Sequence, residues 1–279
     1  EGQFSAKGAH FRVKDGDAIT AESVKATGWL MRDGCRAIGQ INLYGIEIRV
    51  VDLSNCKIDA RGGVAISLEN ARLENVTTAS GFSALGAFLC DLAKITGVLS
   101  LRKAHILAGA FEAPDAANES YGHTLAISAV DAEIGRLALP ETVGTRADRK
   151  VVGVIDRSHA RIGTREDNRA GWYPPGEPTH RLRPWLQQSR VARWSTLEPD
   201  GGRWDIQHLI LDGTVYEHLE HPNGTTDGDG EPNWQARMRW LMSQGKSELR
   251  QCFNPQPWQQ LAQTFARMGY DEDARQIAI

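Results

Sequence analysis

The sequence is short of features that usually betray a function, and each absence excludes something. Its four cysteines, Cys35, Cys56, Cys90 and Cys252, stand far apart with no CxxC pair. Neither a zinc ribbon nor a disulfide-stapled secreted domain is signalled, and a reducing, cytoplasmic compartment fits best. There is no excess of one charge: 32 Lys and Arg face 35 Asp and Glu, a net of -3. Nothing therefore draws the chain as a whole to nucleic acid or to an anionic membrane surface. No run reaches the roughly 18 apolar residues that a membrane span needs. The chain opens Glu1-Gly2-Gln3, with neither an initiator Met nor a signal peptide, which reads as a fragment or a processed chain. No GxGxxG follows a strand and no paired cysteines or metal set is spaced for redox work, so no cofactor is expected.

What is present is an unusual rhythm. In "INLYGIEIRVVDLSNCKI" (41–58) the apolar residues fall at Ile41, Leu43, Ile46, Ile48, Val51, Leu53, Cys56 and Ile58. Pairs recur every five residues, a period belonging neither to a strand nor to a helix. Four such units make the four sides of a coil, and short sides force successive coils to stack as parallel strands with ladders of side chains inside. The expectation is a right-handed, quadrilateral parallel β-helix. "ISLENARLENVTT" (66–78) keeps the rule. The predicted inward residues are Ile19, Val24, Ile41, Ile46, Val51, Ile66, Leu73, Ile95, Leu101 and Ile127.

A longer repeat overlies the short one. "GDAITAESVKA" (16–26) returns as "GVAISLENARL" (63–73), 47 positions on, and again as "HTLAISAVDAEI" (123–134). "DLSNCKI" (52–58) returns as "SLRKAHI" (100–106) and loosely as "DRSHARI" (156–162). Repetition at this length means a stacked array. Each unit is about two coils, and the third is lengthened by a polar loop at 112–122. A second ejected loop is expected at 140–150.

The repeats fade near Gly163, so the β-helix is assigned to residues 1–163. Residues 164–202 carry five prolines and four tryptophans or tyrosines, which suggests an ordered arm wrapping a surface, with a short helix at 184–193. Within it Arg181, Arg183, Arg190 and Arg193 interleave with Trp185 and Trp194, and Trp172 and Tyr173 precede them. These residue types dominate interface hot spots, and they serve equally to clamp the arm to the rod through cation–π contact. A strand at 203–219 should close the last coil, completing an arm-and-strand segment at 164–219. Helices fit 233–245, 255–269 and 271–279, in an α-helical cap at 220–279.

Candidate chemistry is thin. Asp52, Asp91 and Asp156 look equivalent in repeat phase, as do His10, His105 and His159, and both sets read best as surface ladders. His208, His218 and His221, with Asp205 and Asp212, lack a metal-binding spacing. "DGDG" (227–230) lacks the downstream Glu of a calcium loop. Over residues 1–165, 20 Lys and Arg balance 19 Asp and Glu, so the rod is too neutral to imitate DNA.

From Trp258 the spacing Leu261, Ala262, Phe265, Gly269, Tyr270, Ala274 is similar to the first helix and turn of a tetratricopeptide repeat. Ala278 departs from that pattern. Together with the 47-residue unit and "LDGTVYEHL" (211–219), this C-terminal segment resembles a bacterial group of β-helix proteins, similar to pentapeptide-repeat proteins and often labelled membrane-associated or oxidoreductase. The resemblance covers nearly the whole chain and implies membrane helices beyond Ile279. The redox label finds no support in the residues. The expected function is a non-enzymatic scaffold that binds a protein partner at the cytoplasmic face of the inner membrane. The alternative is a β-helix enzyme acting on a carbohydrate or similar polymer.

Overall fold

The computed structural model describes residues 5–30, 34–78, 81–101, 104–107, 125–139, 151–152, 154–157, 159–167, 184–185, 189–196, 214–220, 234–242 and 255–278. The chain is a β-solenoid. Strands alternate between two parallel sheets, and four consecutive turns run from His10 to Ser100.

The first sheet stacks β1 (His10–Thr20), β3 (Arg36–Asn42), β5 (Lys57–Ser67) and β7 (Phe82–Leu89). It continues through β9 (Ala104–Leu107), β10 (Leu125–Ser128), β12 (Val151–Val152), β13 (Val154–Asp156) and β15 (Pro184–Trp185). The second sheet stacks β2 (Trp29–Leu30), β4 (Glu47–Asp52), β6 (Arg72–Thr77), β8 (Lys94–Ser100), β11 (Glu133–Ala138), β14 (Arg161–Asp167), β16 (Arg190–Thr196) and β17 (Val215–Glu220).

Register converts the five-residue rhythm into columns. Ile48, Leu73, Ile95, Ile134, Ile162, Val191 and Tyr216 lie one above the next inside the second sheet. Ile19, Ile41, Ile66, Phe88, Ile127 and Ile155 do so in the first. All eight apolar residues of the period-five stretch 41–58 are buried. Branched aliphatic side chains suit such columns, because both faces of each one meet a like neighbour while the strand face stays dry.

Eight of the ten predicted inward residues are buried. Val24 is the correction: it is 44% exposed, and Ile19 is only half-buried. Both belong to the first turn, which has a neighbouring turn on one side only.

The corners are made by left-handed backbone. At the corner leading into the second sheet, Ser23, Gly45, Asn70, Leu92, Asp131 and His159 all have φ between 55° and 63°. Each amide from Ser23 to Leu92 reaches the next turn, as in Ser23 N–H to Tyr44 O at 2.8 Å and Asn70 N–H to Asp91 O at 2.9 Å. Asn and Asp tolerate this conformation better than most residues. The opposite corner uses Gly8, Gly34, Asn55 and Gly81.

The 47-residue unit also has a structural cause. Pairing runs from His10 to Arg36, Lys57, Ser83 and His105, so turns of 26, 21, 26 and 22 residues alternate. The long turns carry extra residues at a mid-strand bend, 13–16 in β1 and 60–63 in β5, where the register shifts. The short turns carry Gly39 and Gly86 there. A Cβ on Gly39 would lie 2.7 Å from Gly16 O, and one on Gly86 2.7 Å from Gly63 O. The bulge of each long turn thus closes over a glycine of the next, and the true repeat is a pair of turns. The 112–122 loop lies outside the described residues, but 108–124 separate β9 from β10 where 60–63 sit in β5.

Two expectations fail. The stack does not stop at Gly163, because β14, β16 and β17 continue the second sheet in parallel register. No helix occupies 184–193 either, since β15 and β16 start there. Long separators, 168–183 and 197–213, interrupt the rhythm that made the earlier turns legible.

The chain ends in α1 (Trp234–Met242), α2 (Gln256–Arg267) and α3 (Asp271–Ile277). Pro257 suits the first turn of α2, where its missing N–H costs nothing. Gly269, at φ 91°, turns the chain into α3, whose first turn places Asp271, Glu272 and Asp273 at the positive end of the helix dipole. Leu261 and Phe265 of α2 are fully buried, and the Phe265 and Tyr270 rings meet edge to face at 6.1 Å.

Helix α2 also closes the edge of the second sheet. Gln256 Nε2 donates to Thr214 O at 3.1 Å, Gln260 Nε2 to Tyr216 O at 2.9 Å, and Thr264 Oγ1 to the same oxygen at 3.0 Å. The carbonyls of Thr214, just before β17, and of Tyr216, within it, would otherwise be edge acceptors open to another chain.

Candidate functional site

The alternating bulges create a cleft of about 850 Å³ on the outer face of the first sheet. Its floor is the bend of β3 at Ile38, Gly39 and Gln40, and its walls rise from the bulged strands β1 and β5. Arg12, Ile38 and Asp59 share one column of the sheet, so the guanidinium and the carboxylate stand two turns apart with Gln40 beside them. Among the described residues no His, Cys or Ser lines it.

The carboxylates that seemed equivalent are not. Asp52 ends a strand of the second sheet and accepts the Ser54 N–H at 3.0 Å, a local turn cap. Asp91 lies at the other corner, where its Oδ1 accepts Ser128 Oγ at 2.5 Å and Val130 N–H at 2.9 Å from the next turn. Asp156 pairs in register with Ser128 and Trp185. The two described carboxylates are spent on corners, at opposite edges of the rod.

His10 and His105 do share a column, with Arg36, Lys57 and Ser83 between them. His159 does not. It occupies the left-handed corner position, above Asp131 with Nδ1 3.7 Å from Oδ1. "DRSHARI" leads from the first sheet into the second, whereas "DLSNCKI" leads the other way, so their likeness is half a turn out of phase.

The outer column of the second sheet carries charges: Lys25 pairs with Glu47 at 3.0 Å and Lys94 with Glu133 at 3.1 Å, all of them solvent-exposed. Such pairs contribute at most about 1 kcal/mol each.

Of the expected partner-binding residues, Trp172, Tyr173, Arg181 and Arg183 lie outside the described residues. Trp185 is held in β15, and Arg190, Arg193 and Trp194 in β16, opposite Arg161, Thr164 and Arg165 of β14. These four therefore belong to the stack and not to a wrapping arm. His208, His221, Asp205, Asp212 and the 227–230 turn are outside the described residues. Among the described residues no group of three His, Cys, Asp or Glu converges.

Two features escaped the sequence. Arg157 is fully buried at the inward corner position that Leu43, Leu68, Cys90 and Ala129 fill in earlier turns. Cys35 and Cys56 stack in adjacent turns with their sulfurs 3.3 Å apart. Their 21-residue separation is one short turn, so the alternating turn lengths are the signal that pairs them.

The chain matches no family model, no curated protein and no solved structure.

Proposed function

We propose that the protein is a non-enzymatic β-helical scaffold that binds a protein partner along the cleft edge of its first sheet. The observation that carries this is the use of the side chains. Asp91 is used in holding two turns together, and the two long turns at 13–16 and 60–63 spend their extra residues around one cleft. An extended partner segment that runs across successive turns fits this cleft.

The resemblance to pentapeptide-repeat proteins and the tetratricopeptide-like spacing of α2 and α3 support a location for the scaffold at the cytoplasmic face of the bacterial inner membrane. Among the described residues no helix is long and apolar enough to cross a membrane. The carbohydrate-acting alternative would have to work through Asp59 and Arg12.

Photo-crosslinking in the source cells separates the two. A photoreactive residue at position 13 or 60, both lining the cleft, should trap one protein reproducibly, and one at position 74, on the second sheet, should not. Equal trapping from both faces, or turnover of a polysaccharide abolished by Asp59→Asn, would overturn the scaffold reading.

A further inference from the structure

We propose that Cys35 and Cys56 form a reversible disulfide clasp joining the second and third turns of the rod. The two residues precede Arg36 and Lys57, which are direct parallel partners. They occupy the same inward corner column, are both buried, and the Cys35 thiol donates to the Cys56 sulfur at 3.3 Å. Neighbouring strands lie about 4.8 Å apart, inside the range of roughly 4.4–6.8 Å that a disulfide tolerates between Cα atoms. Closing the bond therefore needs a side-chain rotation and no shift of register. Cys90, the other described cysteine, is buried with its thiol on Ser128 O at 3.0 Å and has no such partner.

The two thiols are unequal. Cys56 is held below its ordinary range because it accepts the Cys35 S–H, helped by the backbone N–H groups of Cys35 and Gly34. Cys35, as the donor, is pushed up, with burial adding to the effect. In one order of exchange Cys56, the acceptor of that hydrogen bond, attacks first, and the reaction balances equally with the two sulfurs interchanged. With a low-molecular-weight disulfide as oxidant, the Cys56 thiolate attacks one of its sulfurs and expels a thiolate. Cys35 gives up its proton and attacks the Cys56 sulfur of the mixed disulfide, expelling the second small thiol. The protein loses two protons and two electrons, and the oxidant becomes two thiols. Because both sulfurs are buried, the corner must open for the exchange, which makes the clasp slow and responsive to sustained oxidation.

The test uses the whole chain, refolded in glutathione buffers of graded redox poise so that access does not limit the reaction. Free thiols are then alkylated in denaturant and the protein digested for mass spectrometry. The expected result is a Cys35–Cys56 linked peptide, a mass lower by ~2 Da, and a Tm several degrees above that of the reduced protein, since the closed loop restricts the unfolded chain. Cys35→Ala and Cys56→Ala should lose the mass change and the Tm difference, and Cys90→Ala should keep both. Full alkylation of Cys35 and Cys56 in the wild type at the most oxidising poise would overturn the proposal. So would linkage of either one to Cys252.

Discussion

The carbonyl oxygen of Gly63 sits where it would lie 2.7 Å from a Cβ on Gly86. One residue forms the lip of a bulge and the other its seat, and Gly16 over Gly39 repeats the arrangement one pair of turns earlier. Glycine is needed at the seat twice over, for space and for its φ of 135°. Gly86→Ala should therefore cost about 2–4 kcal/mol, from overpacking and left-handed strain together. Gly81→Ala, at φ 101° but with open space around it, should cost only about 1–2 kcal/mol. Urea unfolding monitored by circular dichroism measures both, and equal losses would contradict the seat.

The inward columns make an asymmetric prediction. Val51→Asp places an unpaired carboxylate at a fully buried position in register with buried Val76 of the next turn, which costs several kcal/mol, on the order of the penalty for burying an uncompensated polar group. Val24→Asp, at a position 44% exposed, should leave the midpoint within about 0.5 kcal/mol of the wild type. Thermal melts distinguish them directly.

How far these columns were legible depended on uninterrupted sequence. Between Ile41 and Ile106 each turn follows the last without a long insertion, and the inward residues could be read off by period. Beyond Leu107 the long separators at 108–124, 168–183 and 197–213 break the rhythm, so Val191 and Tyr216 kept their columns while the pattern announcing them was lost. Val24 was misread because periodicity gives the direction of a side chain but not whether another turn lies over it. The cleft was not legible at all. It arises from the difference between long and short turns, which only register reveals. Asp91 shows a further limit: a sequence places a carboxylate at a corner but does not show that Ser128 and Val130 have already claimed it.

The helical end makes its own prediction. Replacing Gln260 by Leu and Thr264 by Val removes both donors from Tyr216 O, leaving a buried acceptor unpaired at about 1–3 kcal/mol. Deleting residues 255–279 should go further and turn a discrete species into soluble oligomers, because the β17 edge is then free to pair. Size-exclusion chromatography with light scattering reads the outcome. A truncated chain that stayed monomeric and folded would release these helices from the capping role.

The pairing of long and short turns underlies the cleft, and with it the proposed partner edge. In that scheme residues 108–124 take the place that 60–63 hold two turns earlier, since Leu107 and Ile127 share columns with Asp59 and Ile66. The most direct measurement is the thermal melt of a chain in which 108–124 are replaced by Ala-Arg-Gly-Gly, the sequence of 60–63. The account predicts a cooperative transition with Tm within a few degrees of the wild type, the loop being an elaboration of a bulge that the stack already accommodates. Loss of the cooperative transition, or a collapse of Tm, would contradict the two-turn repeat on which the proposed binding edge rests.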